Sequence, residues 1–319
     1  MPPPAGEQQP SSLPIGAIVG STATGKTELA MAVAGGLAVE ILVADSRQVY
    51  RGMDIGTAKP DAGAQAAVPH HLLDLAAPDQ PFSLADWLMA ARDAVTQVAT
   101  RGRLPLLVGG SGLYVAALLD GYDLGAAPPS PAIRTELEAA LAQDGLPALA
   151  ARLADLDPLT AAATDLRNPR RVVRALERAQ LLGGNAPRPR SLPWTGPVTQ
   201  IGLRRPRTVL DRRIDARAAQ LFSGGLLPEV QGLLDAGFGR DLPPMTGHGY
   251  AEAARFLLGE WSLDEAIAVT ARRTRQYARR QETWFRRDAR ILWLDAGSAS
   301  AAEPDLVGRA LSALGSTAG

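Results

Sequence analysis

The chain has 319 residues, of which 46% are hydrophobic and 21% are charged, a composition typical of a globular protein of one large or two ordinary domains. This composition excludes a disordered or collagenous chain, and the absence of cysteine excludes disulfides, thiolate metal sites and a cysteine nucleophile. The 33 basic and 33 acidic residues cancel, but residues 167–217 hold thirteen Arg against three acidic residues, and residues 272–290 hold eight Arg against two. These two basic blocks indicate a localised anionic partner, although each alone is compatible with a solvated helix face.

The first twelve residues are rich in Pro, Gln, Ser and Gly. They have no basic start and no apolar centre, so they differ from a signal peptide and are expected to form a mobile tail. No run of about 18 apolar residues suggests a membrane span. We therefore expect a cytoplasmic protein with no membrane partner, and a monomer.

The next part of the chain alternates between short apolar runs and helical patterns. Strands are predicted over 13–19, 40–44 and 104–108, and helices over 26–37 and 81–100, the second opened by a capping box of Ser83 and Asp86. Glycines follow the strands at Gly20 and at Gly109-Gly110. This alternation predicts an α/β fold with a parallel sheet flanked by helices.

The character of the sequence changes after Gly121, and Pro128, Pro129 and Pro131 mark a boundary. Helices without strands are predicted over 133–141, 146–156 and 170–182, followed by a Gly/Pro-rich linker over 183–197. A strand over 198–203, a helix capped by Ser262 and Glu265 that reaches about residue 287, and a strand over 291–294 return to the first pattern. We expect a tail (1–12), a core domain (13–127 and 191–319) and an all-helical insertion domain (128–190).

A phosphate-binding loop is predicted between the first strand and the first helix. The run GSTATGKT fits the pattern G-x-x-x-x-G-K-[ST], with Lys26 supplying charge and the Thr27 hydroxyl a ligand for Mg²⁺. Backbone amides of such a loop surround phosphate oxygens at a helix N-terminus. The predicted diphosphate- or nucleotide-binding residues are Gly20, Ser21, Thr22, Ala23, Thr24, Gly25, Lys26 and Thr27.

A carboxylate is expected near this loop, because Asp45 ends the second predicted strand and the carboxyl ends of parallel strands face one crevice. Asp45 is either a carboxylate that holds Mg²⁺, as in nucleotide kinases, or a general base toward an acceptor nucleophile. The residues alone leave both roles open.

Several longer runs together resemble the bacterial tRNA dimethylallyltransferase (isopentenyltransferase) family. They are DSRQVYRGMDIGTAKP (45–60), PHHLLD (69–74), VGGSGLY (108–114), RALE (174–177) and TRQYARRQETWF (274–285). The similarity extends over about residues 13–294. It departs from the family at Ser21, Thr24 and Ser111, and again at His248 and Ala251 within TGHGYAE (246–252).

The resemblance implies a core like that of P-loop NTPases and a prenyl transfer from dimethylallyl diphosphate to N6 of adenosine 37, next to the anticodon of a tRNA. Diphosphate is the leaving group, and Mg²⁺ and cationic groups would stabilise its charge. The implied catalytic residues are Asp45 as the base, Ser111 as a hydrogen-bonding hydroxyl to Asp45 or the base, and Arg213 at the diphosphate.

The resemblance also implies a tRNA interface, whose segments coincide with the two basic blocks. The target adenosine must leave the anticodon-loop stack, and its edge is expected at residues 45–48. His70 and His71 are expected to be structural. The implied tRNA-binding residues are Asp45, Ser46, Arg47, Gln48, Ser111, Arg134, Arg170, Arg171, Arg174, Gly247, Tyr250, Arg279, Arg280, Gln281, Trp284 and Arg286.

The sequence does not exclude two other functions. One is a P-loop kinase, which the third strand disfavours because it ends in Val108-Gly109-Gly110 without the acid of a nucleotide kinase. The other is a non-catalytic RNA-binding protein that holds diphosphate as a ligand.

Overall fold

The computed structural model describes residues 12–122, 130–184 and 192–318. The chain forms two compact units: the core unit, residues 1–120 with 193–319, and the helical unit, residues 121–192. Apart from Ser12, the expected tail lies outside the described residues, as do Pro128, Pro129 and residues 185–191 of the expected linker.

Six parallel strands form one sheet in the core unit, as the alternating pattern predicts. The strands are β1 (Ile15–Val19), β2 (Val39–Ala44), β3 (His70–His71), β4 (Leu104–Gly109), β5 (Val198–Arg204) and β6 (Ile291–Asp295), and their order is β3-β2-β4-β1-β5-β6. β3 was not predicted, because two residues carry no readable period.

Twelve helices lie within the described residues. They are α1 (Lys26–Ala34), α2 (Ala62–Ala67), α3 (Leu84–Thr100), α4 (Gly112–Leu119), α5 (Pro131–Leu156), α6 (Pro158–Ala163), α7 (Pro169–Leu181), α8 (Arg207–Ser223), α9 (Leu226–Asp235), α10 (Tyr250–Leu257), α11 (Leu263–Phe285) and α12 (Pro304–Ala318). No helix within the described residues combines the length and the hydropathy that a membrane span requires.

The sheet is covered by helices on both faces. On one face Ile18 and Leu106 pack in a buried cluster with Val33 of α1 and Leu314 of α12. On the other, the fully buried Trp87 of α3 donates from Nε1 to the Val43 carbonyl (3.3 Å). Burial on both faces explains why these strands are continuous apolar runs.

The helical unit contains α5, α6 and α7 around its own apolar cluster, which includes Leu137, Leu153 and Leu176. α5 is interrupted at Gly145 (φ 81°, ψ 169°), between the two runs that the sequence predicts as separate helices. Glycine accepts this positive φ without the steric cost that a Cβ imposes.

Candidate active site

The carboxyl ends of five neighbouring strands meet at one edge of the sheet. β1 leads into the phosphate loop, β2 into Asp45, β4 into Gly110, β5 into Arg205 and β6 into Ala296. This is the edge at which open parallel sheets bind ligands. It contains the candidate active site.

The phosphate loop turns tightly between β1 and α1. A Cβ at Gly20 (φ 143°) would lie 2.4 Å from the Leu203 carbonyl oxygen, so this position needs glycine. The Ser21 carbonyl accepts from the Thr24 hydroxyl (2.9 Å) and from Lys26 Nζ (2.8 Å). The Ala23 carbonyl accepts from Arg213 Nε (2.9 Å). Lys26 and Arg213 thus each hold one loop carbonyl.

A cavity of about 300 Å³ lies beside this loop. It brings together residues that are far apart in the sequence, from the loop, β2, α8 and α11. Its lining contains nine of the predicted site residues: Thr22, Ala23, Gly25, Lys26, Thr27, Asp45, Gln48, Arg213 and Gln281. Gly20, Ser21 and Thr24 shape the loop from outside this lining.

The cavity is rich in positive charge. Burial lowers the pKa of Lys26 to about 8, while Asp45 acts to raise that pKa and Arg217 acts to lower it. Burial also lowers the pKa of Arg217 from its ordinary value, with Asp45 opposing the shift. A pKa of about 8 leaves Lys26 mostly protonated at pH 7, and Arg carries its charge near neutral pH. The side chains of Lys26, Arg213 and Arg217 therefore present positive charge to the same cavity.

Arg217 was missed in the sequence analysis. It lies four residues after Arg213 on α8, and both line the cavity. Residues four apart share one helix face, so this spacing was the signal that could have identified it.

The segment that follows β2 is held by its own side chains and by distant backbone. Asp45 lines the cavity and its Oδ1 accepts from the Arg47 amide (2.8 Å). Arg47 Nη1 donates to the Pro244 carbonyl (2.9 Å), and Gln48 Nε2 donates to the Thr57 carbonyl (3.1 Å).

Ser111 is buried beside this segment. Its hydroxyl accepts from the Ser46 amide (3.2 Å). The hydroxyl therefore contacts the residue next to Asp45; the expected partners were Asp45 or the edge of the base.

Helix α11 packs against the glycine-rich turn that follows β4. A Cβ at Gly110 would lie 2.3 Å from Gln281 Nε2, and one at Gly112 would lie 2.2 Å from the Trp284 ring. Gln281 is buried, accepts from the Thr22 amide (2.9 Å) and donates to the Gly110 carbonyl (2.8 Å). The structure thus places Gln281 against the phosphate loop, although it was expected to contact tRNA.

The other residues expected on α11 and just beyond it reach the surface. Arg279 and Arg280 are exposed, and the Trp284 side chain is 40% exposed. Arg286 is exposed and pairs with Glu282 (2.6 Å). Together with Arg280, which lies over the Tyr277 ring (5.6 Å), they form a basic surface with aromatic rings.

Tyr250 and Gly247 differ from the expected tRNA contacts. Tyr250 is 1% exposed, and its hydroxyl donates to Glu229 Oε1 (2.5 Å). The other oxygen of Glu229 accepts from the amide of Ile55 (2.7 Å). Tyr250 therefore supports the loop after β2 and has no surface to offer to RNA in this conformation, while Gly247 is buried next to Arg47.

The predicted residues of the helical unit fall into two groups. Arg170 and Arg171 are exposed at the start of α7. Arg134 Nη2 and Arg174 Nη1 donate to Glu177 Oε2 (2.8 and 2.7 Å). Burial acts to raise the pKa of the fully buried Glu177, but these two bonds and the Ser130 amide hold that pKa below its ordinary value.

The donor set of the cavity suits Mg²⁺ bound together with a phosphate ligand. The described residues contain no group of three or more His, Cys, Asp and Glu that could hold a metal ion by themselves. The Thr27 hydroxyl and the Asp45 carboxylate line the same cavity. Mg²⁺ commonly takes one or two protein oxygens and completes its shell with phosphates and water.

Comparison with known proteins identifies the family. Residues 48–288 match the family model described as IPP transferase. A tRNA dimethylallyltransferase of Roseiflexus sp. (strain RS-1) is 48% identical over 285 residues, covering 89% of this chain and 93% of the relative. One of Thermobifida fusca is 46% identical over 302 residues, covering 92% of each chain. The crystal structure of a tRNA isopentenylpyrophosphate transferase from Bacillus halodurans is 39% identical, covers 97% of both chains and superposes with a TM-score of 0.71. On these grounds the chain belongs to the IPP transferase family.

Proposed function

We propose that this protein is a tRNA dimethylallyltransferase, which transfers the five-carbon group of dimethylallyl diphosphate to N6 of adenosine 37 in tRNA and releases diphosphate. One observation carries the proposal: a single cavity joins the phosphate loop and its cations to the carboxylate of Asp45. A leaving diphosphate and a nucleophile that must lose a proton need these two groups in one space.

The donor side follows from the charge of the cavity. As the carbon–oxygen bond of the allylic diphosphate breaks, the electron pair leaves with the diphosphate oxygen. The loop amides, Lys26, Arg213 and Arg217 then face the growing negative charge. Stabilisation of such charge by fixed donors in a secluded site contributes strongly to catalysis.

The acceptor side follows from the position of Asp45. The exocyclic amine of adenosine is a weak nucleophile because its lone pair is delocalised into the ring. A carboxylate that takes the N6 proton while the new carbon–nitrogen bond forms contributes about 10²–10⁴-fold to the rate. Ser46, Arg47 and Gln48, which follow Asp45 directly, would meet the edge of the flipped base.

Mg²⁺ would be held by Thr27, with Asp45 in the same cavity, and would neutralise charge on the donor diphosphate when bound. The tRNA anticodon stem-loop would meet the exposed Arg279, Arg280, Trp284 and Arg286 in the core unit, and Arg170 and Arg171 in the helical unit. Arginines suit phosphates, and an exposed indole suits an unstacked base.

The test is incubation of the full chain with labelled dimethylallyl diphosphate, Mg²⁺ and unmodified tRNA that carries adenosines at positions 36 and 37. We expect the label in the tRNA as N6-dimethylallyladenosine, with one diphosphate released for each group transferred. Hydrolysis of ATP without label in the RNA would instead indicate a kinase. Binding of tRNA and diphosphate without transfer would indicate a non-catalytic RNA-binding protein.

A further inference from the structure

Arg205 immediately follows β5 and is 7% exposed. Its Nε donates to the carbonyl of Thr24 in the phosphate loop (2.7 Å). Its Nη1 donates to the carbonyls of Gly297 (3.1 Å) and Ala299 (2.7 Å), which follow β6. One buried guanidinium thus joins the phosphate loop to residues 296–301, here called the bracing segment.

The bracing segment makes two further contacts, one with the loop and one with α1. A Cβ at Gly25 would lie 2.7 Å from the Ala301 side chain, so the segment packs directly on the loop. The Ser300 hydroxyl also hydrogen-bonds with Glu28 in the first turn of α1. Arg205 therefore lies inside a contact that supports the loop, and it is not among the residues that line the cavity.

Within the described residues Arg205 forms no ion pair; burial lowers its pKa, although the Glu28 and Asp295 carboxylates act to raise it. All of its hydrogen bonds within the described part of the chain go to backbone carbonyls, and its Nη2 has no hydrogen-bond partner there. A buried cation without a paired carboxylate is costly to a fold. An anion bound nearby would recover part of that cost.

We propose that Arg205 is a positioning residue for the donor diphosphate. It fixes the Thr24 carbonyl, so that the following amides of Gly25, Lys26 and Thr27 keep the direction in which a diphosphate is bound. Its positive charge also adds to the positive electrostatic potential at the loop, although Arg205 does not line the cavity. The inference rests on the proposed function, since it names the group that prepares the donor half of the same site.

The test compares Arg205→Met and Arg205→Lys with wild type and with Arg204→Met as the control. Arg204 is the exposed neighbour of Arg205 and lies near Asp295 (3.7 Å). The readouts are the Kd of inorganic pyrophosphate with Mg²⁺, the KM values for donor and for tRNA, and kcat. All are measured well below the thermal midpoint of each variant.

We expect Arg205→Met to weaken pyrophosphate binding and raise the donor KM by about tenfold or more, the effect of losing one charged hydrogen bond. A lysine at position 205 can bond either the Thr24 carbonyl or the carbonyls that follow β6, but not both, so Arg205→Lys should weaken pyrophosphate binding and raise the donor KM by less than Arg205→Met does. The KM for tRNA should stay within about twofold in both, and Arg204→Met should match wild type in every readout. A merely structural role would lower the thermal midpoint and leave the donor KM unchanged.

Wild-type pyrophosphate affinity in a folded Arg205→Met variant overturns the inference, as does an equal rise of the KM values for donor and tRNA. If Arg205→Met does not fold, Arg205→Lys decides, and unchanged pyrophosphate affinity in that variant overturns the inference. If wild type transfers no label, the proposed function fails, while the pyrophosphate series still tests Arg205. If wild type transfers label and Arg205→Met binds pyrophosphate normally, this inference alone fails.

Discussion

The carboxylate of Asp45 lies among cations, and its two possible roles have different experimental signatures. As a base it acts on the acceptor during the chemical step; as a metal ligand it acts on the donor before that step. Asp45 acts to raise the pKa of Lys26 and also opposes the effect of burial on Arg217. In both pKa shifts the effect of Asp45 is smaller than that of burial.

We expect Asp45→Asn to reduce kcat by at least about 10²-fold, because the amide cannot take the N6 proton. Asparagine keeps the size of the side chain and an oxygen that accepts from the Arg47 amide. The Kd of pyrophosphate should therefore change by less than about threefold. Single-turnover transfer rates and pyrophosphate titration check both values. A large rise in this Kd with unchanged turnover would identify Asp45 as a metal ligand.

The local part of the site was predictable from the sequence, and so was the position of Asp45 at the end of β2, but the other long-range contacts could not be worked out from the residues alone. The phosphate loop is a run of eight residues whose spacing carries the chemistry, so its glycines, Lys26 and Thr27 were readable without a fold. Gln281 touches the Thr22 amide across 259 positions of sequence, and only the packing of α11 on Gly110 makes that contact. Tyr250 has the residue type of an RNA contact, but burial against Glu229 decides its place.

Helices and strands were predictable where a period or a cap was long enough to read. The Ser83–Asp86 capping box is complete at the start of α3, and the Ser262 hydroxyl accepts from the Glu265 amide at the start of α11. The six-residue helices α2 and α6 have too few residues to show a helical period, and neither was predicted.

Helix α11 carries the strongest prediction about RNA binding among the elements. Arg279 and Arg280 are adjacent and exposed, and neither makes an ion pair within the described residues. We expect Arg279→Ala with Arg280→Ala to weaken tRNA binding and to lower the slope of log Kd against log salt by about one per lost phosphate contact. Filter binding over a salt series measures both. Arg309→Ala on α12, also an exposed arginine, is the control, and an unchanged slope in the double variant would contradict the assignment.

Strand β2 contains a buried carboxylate whose effect on stability depends on pH. Two hydrogen bonds from Arg101 (2.9 and 2.6 Å) lower the pKa of Glu40 to about 2, against an opposing effect of burial, with His71 adding to the shift. Because the folded-state pKa lies below the unfolded value, this stabilisation is complete above about pH 4.5. It is lost as the pH falls toward 2.

We expect Glu40→Gln to lower the free energy of unfolding at pH 7 by about 1–3 kcal/mol, since the amide leaves Arg101 and His71 without their charged acceptor. The difference from wild type should shrink steadily below pH 4.5. Urea unfolding followed by circular dichroism at pH 7 and pH 3 measures it. Glu303→Gln, an exposed carboxylate of the core unit, should change stability by less than about 0.5 kcal/mol at either pH. A difference that does not change with pH would contradict the role given to Glu40.

For the whole molecule, the net charge of zero says nothing about the distribution of the charges, and that distribution is what bears on function. The basic blocks counted in the sequence supply cations to three places: the donor cavity through Arg213 and Arg217, the α11 surface, and the start of α7. The first block, residues 167–217, thus contains arginines of the donor cavity and arginines of the proposed tRNA surface, and counting charges along the sequence could not separate the two groups. The fold divides it because the chain passes from the helical unit into β5 and α8 of the core unit within that block.

The connection between the two units allows the helical unit to be removed. The Trp194 amide donates to the Leu119 carbonyl (3.0 Å), so the two ends of the core unit lie side by side where the chain leaves and returns. A deletion of residues 121–192 closed by a short Gly/Ser linker should therefore leave the core sheet intact, because short loops cost little entropy to close. We expect pyrophosphate affinity within about threefold of wild type and tRNA binding reduced by about tenfold or more, since the arginines of α7 are lost.

Isothermal titration with each ligand, after circular dichroism has shown a cooperative transition, gives the two values. Loss of pyrophosphate binding in a folded deletion variant would mean that the helical unit also builds the donor site. Unchanged tRNA affinity would mean that the core unit alone binds the RNA.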